Sequence, residues 1–431
     1  MFHKGLFLVL KSLPRFVWPL AVVLAMLKLG LLLHLNPGLE WNYDERRNGR
    51  IADNYLAGRG YVSLDPERHT LRPDSFHASF PVFVYIGWQR AGLPKHHFTL
   101  LVFALSIGAY LLGGLYVHRT LLCFGVAPPW SWVGAGAWLL YPSVLYYIGA
   151  YMWYENLALP LLILVVYKLL RLLAGRPLSW ADAAIVAAAI TLSCLLRGYL
   201  LAVYAALLLV WLCLVVPTRK LSSGSSFGLV LSVGCLLLLA HLPILQKNHR
   251  LFGARILSNQ AGFELLQGHN DVTQGRFMFD WDDPAKPFGH FVRAHVPDLD
   301  SLNQYEESQA RAELAKKWVL AHPREEAMLW LRKTALFFSP ENFIADAPRT
   351  PYNPVNAVVH LAFFIALLTV ASGVRGLQLQ QADILLLTPV VATWMLSIVF
   401  FVGFRWRYFA EPAMLLYPII IVQRLRIKQP R

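Results

Sequence analysis

Apolar runs long enough to cross a bilayer recur from one end of this chain to the other, and no other feature restricts its fold so strongly. About 20 apolar residues in a helix span the ~30 Å hydrocarbon layer. Backbone polar groups in lipid must be paired internally, which leaves only helices and closed barrels. Such runs lie at about 16–35, 98–121, 130–150, 153–173, 179–196, 199–216, 227–246, 355–374, 382–403 and 407–423. They predict an all-α polytopic membrane protein, a bundle of about ten transmembrane helices. The third run carries glycines and Tyr141-Pro142-Ser143, with Tyr146 and Tyr147 behind, so it can form two short pieces. The first lacks an Ala-x-Ala cleavage site and reads as a retained signal-anchor. Hydrophobic residues make up 57% of the chain and charged ones 15%, which excludes an ordinary soluble domain.

Lysine and arginine in the short loops set an orientation. Lys4, Lys11 and Arg15 precede the first run, and every second loop after it is basic: Arg119; Lys168, Arg171 and Arg176; Arg219 and Lys220; Arg375. The tail adds Arg424, Arg426, Lys428 and Arg431. With ten spans these fall on one side, so both termini are expected in the cytoplasm. The formal charge of +14 then belongs to cytoplasmic loops and anionic membrane lipids. No basic run interleaved with aromatics suggests nucleic acid. Cys123, Cys194, Cys213 and Cys235 lie in or beside apolar runs and match neither a disulfide framework nor a zinc spacing.

Two long segments face the other side, 36–97 and 247–354. The expected division is a transmembrane module over 1–246, which includes that first outer loop, an outer-face loop domain over 247–354, and C-terminal transmembrane helices over 355–431. The outer-face region reads as small and mixed in structure. Gly253 to Asn270 looks loop-like, and Tyr305 to Leu336 looks like two helices with a turn at His322-Pro323.

The chemistry gathers on the outer side. In Trp41-Asn42-Tyr43-Asp44-Glu45-Arg46-Arg47-Asn48-Gly49-Arg50 two adjacent acids open a helix. Its apolar stripe is Ile51, Ala52, Tyr55 and Leu56, and its stop is Gly58 and Gly60. Such a helix can simply lie on a membrane surface, its acids serving as ordinary first-turn charges. Other charges stand at outer span ends: Glu155, Arg197, Lys247, His249, Arg250, Arg405 and Arg407. One arginine at a helix end only snorkels. As a set in tight outer turns, against the positive-inside bias, they suit a phosphate, which guanidinium forks pair bidentately. Glu155 is a partner for one of these cations or for a metal; the residues do not choose. A carboxylate that deprotonates a hydroxyl beside cations that hold a lipid-linked phosphate makes a transferase site. Phosphate leaves as a stable anion, so a single base suffices, unlike the carboxylate pair of a glycosidase. His249, His269, His290, His295 and His322 follow no metal-binding spacing.

These residues resemble a known family. Asp44-Glu45 followed by Asn54-Tyr55-Leu56-Ala57-Gly58-Arg59-Gly60-Tyr61 is similar to the first outer loop of GT-C glycosyltransferases. The likeness is to the polyprenyl-phosphate-sugar-dependent group that includes protein O-mannosyltransferases and lipid A aminoarabinose transferases. Lys247-Asn248-His249-Arg250-Leu251-Phe252-Gly253 and Ser258 to Asn270 resemble its next outer motif. Arg407-Tyr408 with Pro412 resembles the opening of its last helix, Tyr154-Glu155 its "T-E", Leu196-Arg197-Gly198 its "T-R-P", and His77 to Pro81 its "H-P-P-L". Lys247, His269 and Gly198 depart from the usual Arg, Asn and Pro, which bears on the sugar and acceptor more than on the reaction class.

The resemblance implies an inverting transfer of a sugar from a polyprenyl-phosphate-sugar donor lipid to a hydroxyl of a glycan, lipid or protein acceptor on the outer (periplasmic) face. Asp44 is the expected base and Glu45 its neighbour. Arg197, Lys247, Arg250, Arg405, Arg407 and Tyr408 are expected at the donor phosphate. Glu155 is the support or metal ligand, and His77, Asn259 and Asn270 belong to the substrate cavity. A divalent metal is compatible with this set and not required by it. Two rivals stand beside this reading: a lipid-linked sugar flippase or other transporter, which would need polar residues at broken helices in mid-membrane, and a non-catalytic assembly subunit, which would not need the acid.

Overall fold

The computed structural model describes residues 17–39, 41, 43–64, 70–77, 79–145, 154–215, 223–277, 286–296, 298–340 and 353–427. Lys4, Lys11, Arg15, Tyr146, Tyr147, Arg219, Lys220, Lys428 and Arg431, on which parts of the expected topology rest, lie outside them.

The chain is helical almost throughout. Helix α1 is Val17–Leu35, α2 Tyr43–Leu56, α3 Phe80–Arg90, α4 Lys95–Cys123, α5 Pro128–Leu139, α6 Glu155–Leu173, α7 Trp180–Leu196, α8 Leu200–Val215 and α9 Ser223–Phe252. Then follow α10 Gln260–Gly268, α11 Pro287–His295, α12 Gln304–Ala321, α13 Pro323–Phe338, α14 Asn353–Ala371, α15 Gln381–Val399, the short α16 Phe404–Arg407, and α17 Glu411–Ile427. Every expected apolar run overlaps a helix among the described residues. Among the described residues, however, five helices rather than ten have the length and apolarity to cross a membrane: α4, α6, α9, α14 and α15. Helices α1, α7 and α8 are apolar but shorter. The reasons are local. α7 stops where Arg197 takes extended backbone (φ −144°, ψ 106°), and α5 stops just before Pro142, which cannot continue a hydrogen-bonded turn. At that break Lys28 of α1 donates from Nζ to the carbonyls of Val144 (2.8 Å) and Leu145 (3.2 Å), so the interrupted third run is tied to the first.

The main apolar core runs between α4, α5, α6, α7, α8, α15 and α17, with Tyr110, Trp138, Tyr204, Trp211 and Tyr417 fully buried in it. A second cluster seats the first outer loop: Trp41, Ile51, Ala52, Tyr61, Val82, Tyr85 and Phe98 pack together. This divides the stripe of α2. Ile51 and Ala52 are buried against protein, whereas Tyr55 and Leu56 are exposed. The helix therefore packs one part of its stripe on the bundle, and Gly58 and Gly60 end it in the left-handed region (φ 75° and 88°). A two-stranded antiparallel hairpin, β1 Val62–Leu64 with β2 Leu71–Pro73, follows. Behind it Asp74 is buried, accepting from Arg47 Nε at 2.7 Å, the Phe76 amide at 2.9 Å, and the Ser63 hydroxyl. Burial alone would raise its carboxyl, but these donors hold it down at about 2.

The outer segment corrects two expectations. Its described residues form helices rather than a mixed fold, and the stretch read as loop contains α10. A small core of Leu266, Phe288, Phe291, Val292, Leu299 and Ala315 holds α10, α11 and α12 together. Asn303 and Glu306 form a capping box at the start of α12. The break at His322-Pro323 falls where proline chemistry predicts. This unit is fastened to the turn after α15. Gly268 packs so closely on the Phe400 carbonyl that any Cβ would collide with it, and Gly262 does the same on Ser308. Val402 N donates to Gly275 O at 2.8 Å. Buried Lys333 donates to the carbonyls of Ile398 (2.8 Å) and Phe400 (2.7 Å), and His269 Nε2 lies 2.7 Å from Val399 O.

Replacing Gly268 by valine should cost at least the ~1–3 kcal/mol of an overpacked site, read as a lowered melting temperature of the detergent-purified protein. Asp74→Asn should lower stability at pH 7 by about 2–3 kcal/mol, since each pKa unit is worth about 1.36 kcal/mol. Because the folded pKa is depressed, that contribution should vanish as pH falls from about 4 through about 2. The stability gap between Asp74→Asn and the parent chain, followed against pH, checks the sign.

Candidate active site

Four elements bring their charged ends to one place. Asp44 and Glu45 come from the first turn of α2, Glu155 from the first residue of α6, Arg197 from the turn between α7 and α8, and Arg405 from α16. Arg405 Nη1 donates to Asp44 Oδ2 at 2.7 Å. Arg197 Nη2 lies 3.5 Å from the same oxygen and donates to Glu155 Oε2 at 2.8 Å. Arg405 Nε is 4.0 Å from Glu155 Oε1. His77 Nε2 stands 3.4 Å from Asp44 Oδ1, held edge-on against the Phe76 ring, which in turn packs on Phe263 of α10. Asp44 is thus not the water-facing carboxylate that its position on an amphipathic helix suggests: it is 8% exposed, and Glu45 is fully buried.

The electrostatics follow from this enclosure. Burial would raise the Asp44 carboxyl, but Arg405, His77 and Arg197 together hold it well below the usual carboxylate range. Glu45 goes the other way. Burial raises it, Asp44 and Glu155 add like-charge repulsion, and the two arginines offset only part of this. Arg197 and Arg405, despite burial, are raised by Glu155 and Asp44.

Glu264 was not among the sequence candidates and belongs here. It projects from α10 with Gln260 Nε2 donating to its Oε1 at 2.6 Å, and it lies within electrostatic reach of Arg405, Arg197 and Asp44. Enclosure by its neighbours pushes its carboxyl up to about 8 even though part of its surface stays open. Its facing toward Arg405 depends on how α10 is docked, which no local pattern encodes.

The other expected residues go elsewhere. Arg407 is almost fully buried, donates to Ser339 O at 2.6 Å and lies 3.5 Å from Glu411, so only Arg405 of that pair meets Asp44. Tyr408 sits in the bundle core beside Phe409. Lys247 Nζ donates to Ser79 Oγ at 2.7 Å and lies 3.7 Å above the Tyr61 ring. Arg250 is exposed at the end of α9 and takes no part in the Asp44 ion pairs. Asn259 joins the two outer segments: its amide donates to Ser75 O at 2.8 Å, and its side chain donates to Gln304 at 3.1 Å. Asn270 accepts from Val272 N and donates to Leu266 O, a local turn. Among the described residues no three His, Cys, Asp or Glu side chains are arranged to hold a metal ion. The near oxygens of Asp44 and Glu155 are instead committed to guanidinium groups.

What this arrangement can do is exchange anions. Two guanidiniums lie side by side, each already holding a carboxylate, and a phosphate is a bidentate competitor for both. The carboxylate so displaced is a proton acceptor in the same place.

No protein-family model matches the chain, and no curated protein does. Solved structures do. The oligosaccharyltransferase AglB of the archaeon Archaeoglobus fulgidus matches over 96% of this chain and 51% of its own, with a TM-score of 0.50 at 12% identity. One of its structures is a complex with an inhibitory peptide and a dolichol-phosphate, and another is the apo form. The chain spans about half the length of that protein. At 12% identity the likeness speaks for the architecture alone: the helical fold of this chain is similar to that of the matched half of the archaeal protein.

Proposed function

We propose that this protein transfers a sugar from a polyprenyl-phosphate-linked donor to a hydroxyl group of a glycan, lipid or protein acceptor at the outer face of a bacterial inner membrane. The observation that carries the reading is the sharing of Asp44 between Arg405 and Arg197. A base is held in reserve by the same cations that a donor phosphate would claim. The ordered motifs favour the polyprenyl-phosphate-sugar-dependent branch, and the dolichol-phosphate bound by the archaeal oligosaccharyltransferase is a lipid phosphate of the same chemical kind.

The steps follow from charge. The donor phosphate binds across Arg405 and Arg197 and displaces the Asp44 carboxylate. With its ion pair lost, Asp44 no longer has the interaction that depressed its pKa, and it becomes a stronger base. It takes the proton of the acceptor hydroxyl. The acceptor oxygen bonds to the anomeric carbon from the face opposite the phosphate, the carbon–oxygen bond to phosphate breaks, and the electron pair leaves with the phosphate. Configuration inverts, and both guanidiniums collect the charge developing on the leaving group. Glu155 keeps Arg197 aimed throughout. Glu45, its carboxyl raised well above the usual range by burial and by the neighbouring Asp44, resists adding a second negative charge beside Asp44.

Asp44→Asn should reduce sugar transfer in detergent by about 10²–10⁴-fold or more, with expression and melting temperature kept. Turnover close to that of the parent chain would overturn the assignment. Because transport has no meaning in detergent, a parent chain that transfers no sugar there yet moves a lipid-linked sugar across vesicles would speak for the flippase instead. Arg405→Ala should raise the apparent donor KM about tenfold or more while kcat falls less, the pattern of a lost phosphate contact.

Glu264 generates a pH effect. Below about 8 its carboxyl is protonated and neutral; above that it becomes an anion beside Arg405 and Arg197 and competes with the donor. Donor affinity should therefore fall as pH rises from 7 to 9, and Glu264→Gln should flatten that fall. An unchanged profile in Glu264→Gln would remove Glu264 from the phosphate site.

A further inference from the structure

The end of the bundle opposite Asp44 carries a second arrangement of arginines. Helix α6 begins at Glu155 and reaches Arg171 near its other end, and its 19 residues extend about 28 Å at 1.5 Å each. That is close to the hydrocarbon thickness of a bilayer, so Arg171 stands at the headgroup level of the far leaflet. Helix α4 runs the same way, from Thr99 beside Trp41 to Arg119.

At that level Tyr116 of α4 and Tyr167 of α6 face each other with ring centroids 5.6 Å apart. Each carries an arginine from its own helix. Arg119 Cζ lies 5.9 Å from the Tyr116 centroid, and Arg171 Cζ lies 5.8 Å from that of Tyr167. Spacings of three and four residues put each cation one turn beyond its ring. Arg171 and Arg176 both lie within electrostatic reach of Cys123 at the end of α4, so the loop after α6 brings a third guanidinium to the pair. All three arginines and both tyrosines are partly or fully exposed.

Counter-charges nearby are already committed. Asp182 binds Lys168 and accepts from Ser179 Oγ at 2.8 Å. Asp383 is held bidentately by Arg424 at 2.7 and 2.8 Å. Among the described residues Arg119, Arg171 and Arg176 form no carboxylate ion pair, in contrast to Arg197, Arg405 and Arg424. Cation–π contact leaves the outward N–H edges of a guanidinium available to an acceptor.

We propose that the Tyr116–Tyr167 pair with Arg119, Arg171 and Arg176 is a binding site for the phosphate headgroup of an anionic phospholipid in the leaflet opposite the Asp44 cluster. Charge complementarity selects the headgroup, the depth of the residues selects a lipid, and the amphipathic tyrosine rings suit the boundary between acyl chains and headgroups. The site shares no residue with the candidate active site and does not rest on its function.

The test uses the full chain in a neutral detergent. Dioleoyl-phosphatidylglycerol, dioleoyl-phosphatidylcholine and inorganic phosphate are added separately, and retained molecules are counted by native mass spectrometry alongside the melting temperature. Phosphatidylglycerol should be retained and should raise the melting temperature, whereas phosphatidylcholine should do neither. Combining Arg119→Gln, Arg171→Gln and Arg176→Gln should cut phosphatidylglycerol affinity about a hundredfold, the loss expected when three interfacial cations are removed. Arg171→Lys should lose less, because it keeps the charge and gives up only the fork. Equal retention of the two lipids, or equal phosphatidylglycerol affinity in the parent chain and the triple variant, would overturn the site. Protection by inorganic phosphate at the same concentration would replace the lipid with a soluble phosphate ligand. Should the triple variant fail to fold, the comparison of lipids on the parent chain and on Arg171→Lys still decides.

Discussion

The ion-pair chain Arg405–Asp44–Arg197–Glu155 is the interaction on which the rest of the site depends. It joins the first outer loop, the start of α6, the α7–α8 turn and the turn before α17 through buried side chains and the half-buried Arg405. Such a chain is a poor way to gain stability, because desolvating the charges consumes most of the attraction. Its arithmetic is informative in another way. Asp44, Glu45, Glu155 and Glu264 are four acids around two arginines. Burial favours neutrality, and the two carboxyls pushed upward are Glu45 and Glu264. The two acids in direct contact with Arg405 and Arg197 are Asp44 and Glu155.

Much of this was readable in advance, and the exceptions share a cause. The apolar runs marked nearly every membrane helix, and the acids after the first run, the acid opening α6 and the arginine ending α7 met as expected. Periodicity failed where the identity of the partner mattered. An apolar stripe on α2 looks the same whether lipid or protein covers it, so Asp44 was expected in water and is buried instead. Arg405 and Arg407 are two residues apart on a short helix and therefore point to different sides; only one can meet Asp44, and the other finds Glu411 four residues on. Gly253 to Asn270, rich in residues that favour turns, nonetheless contains α10, because Gly262 and Gly268 serve close packing rather than chain reversal.

The likeness to an oligosaccharyltransferase of about twice the length separates architecture from chemistry. A fold of this kind hosts many reactions, and function resides in the groups placed on it. In the proposed site those groups come from both outer segments. The first supplies Asp44, Glu45 and His77, while the second supplies Glu264 on a helix wedged between α12 and the turn after α15.

That wedge has a mechanical consequence. The turn bearing Arg405 follows a strip of backbone, Ile398 to Val402, whose carbonyls and amide are gripped by Lys333, His269 and Gly275 of the outer segment. The two cannot slide independently. If an arriving acceptor tilts the outer helices, the same displacement is passed through that grip to the guanidinium facing Asp44. Occupancy on the aqueous side would then be felt at the lipid side through rigid linkage alone.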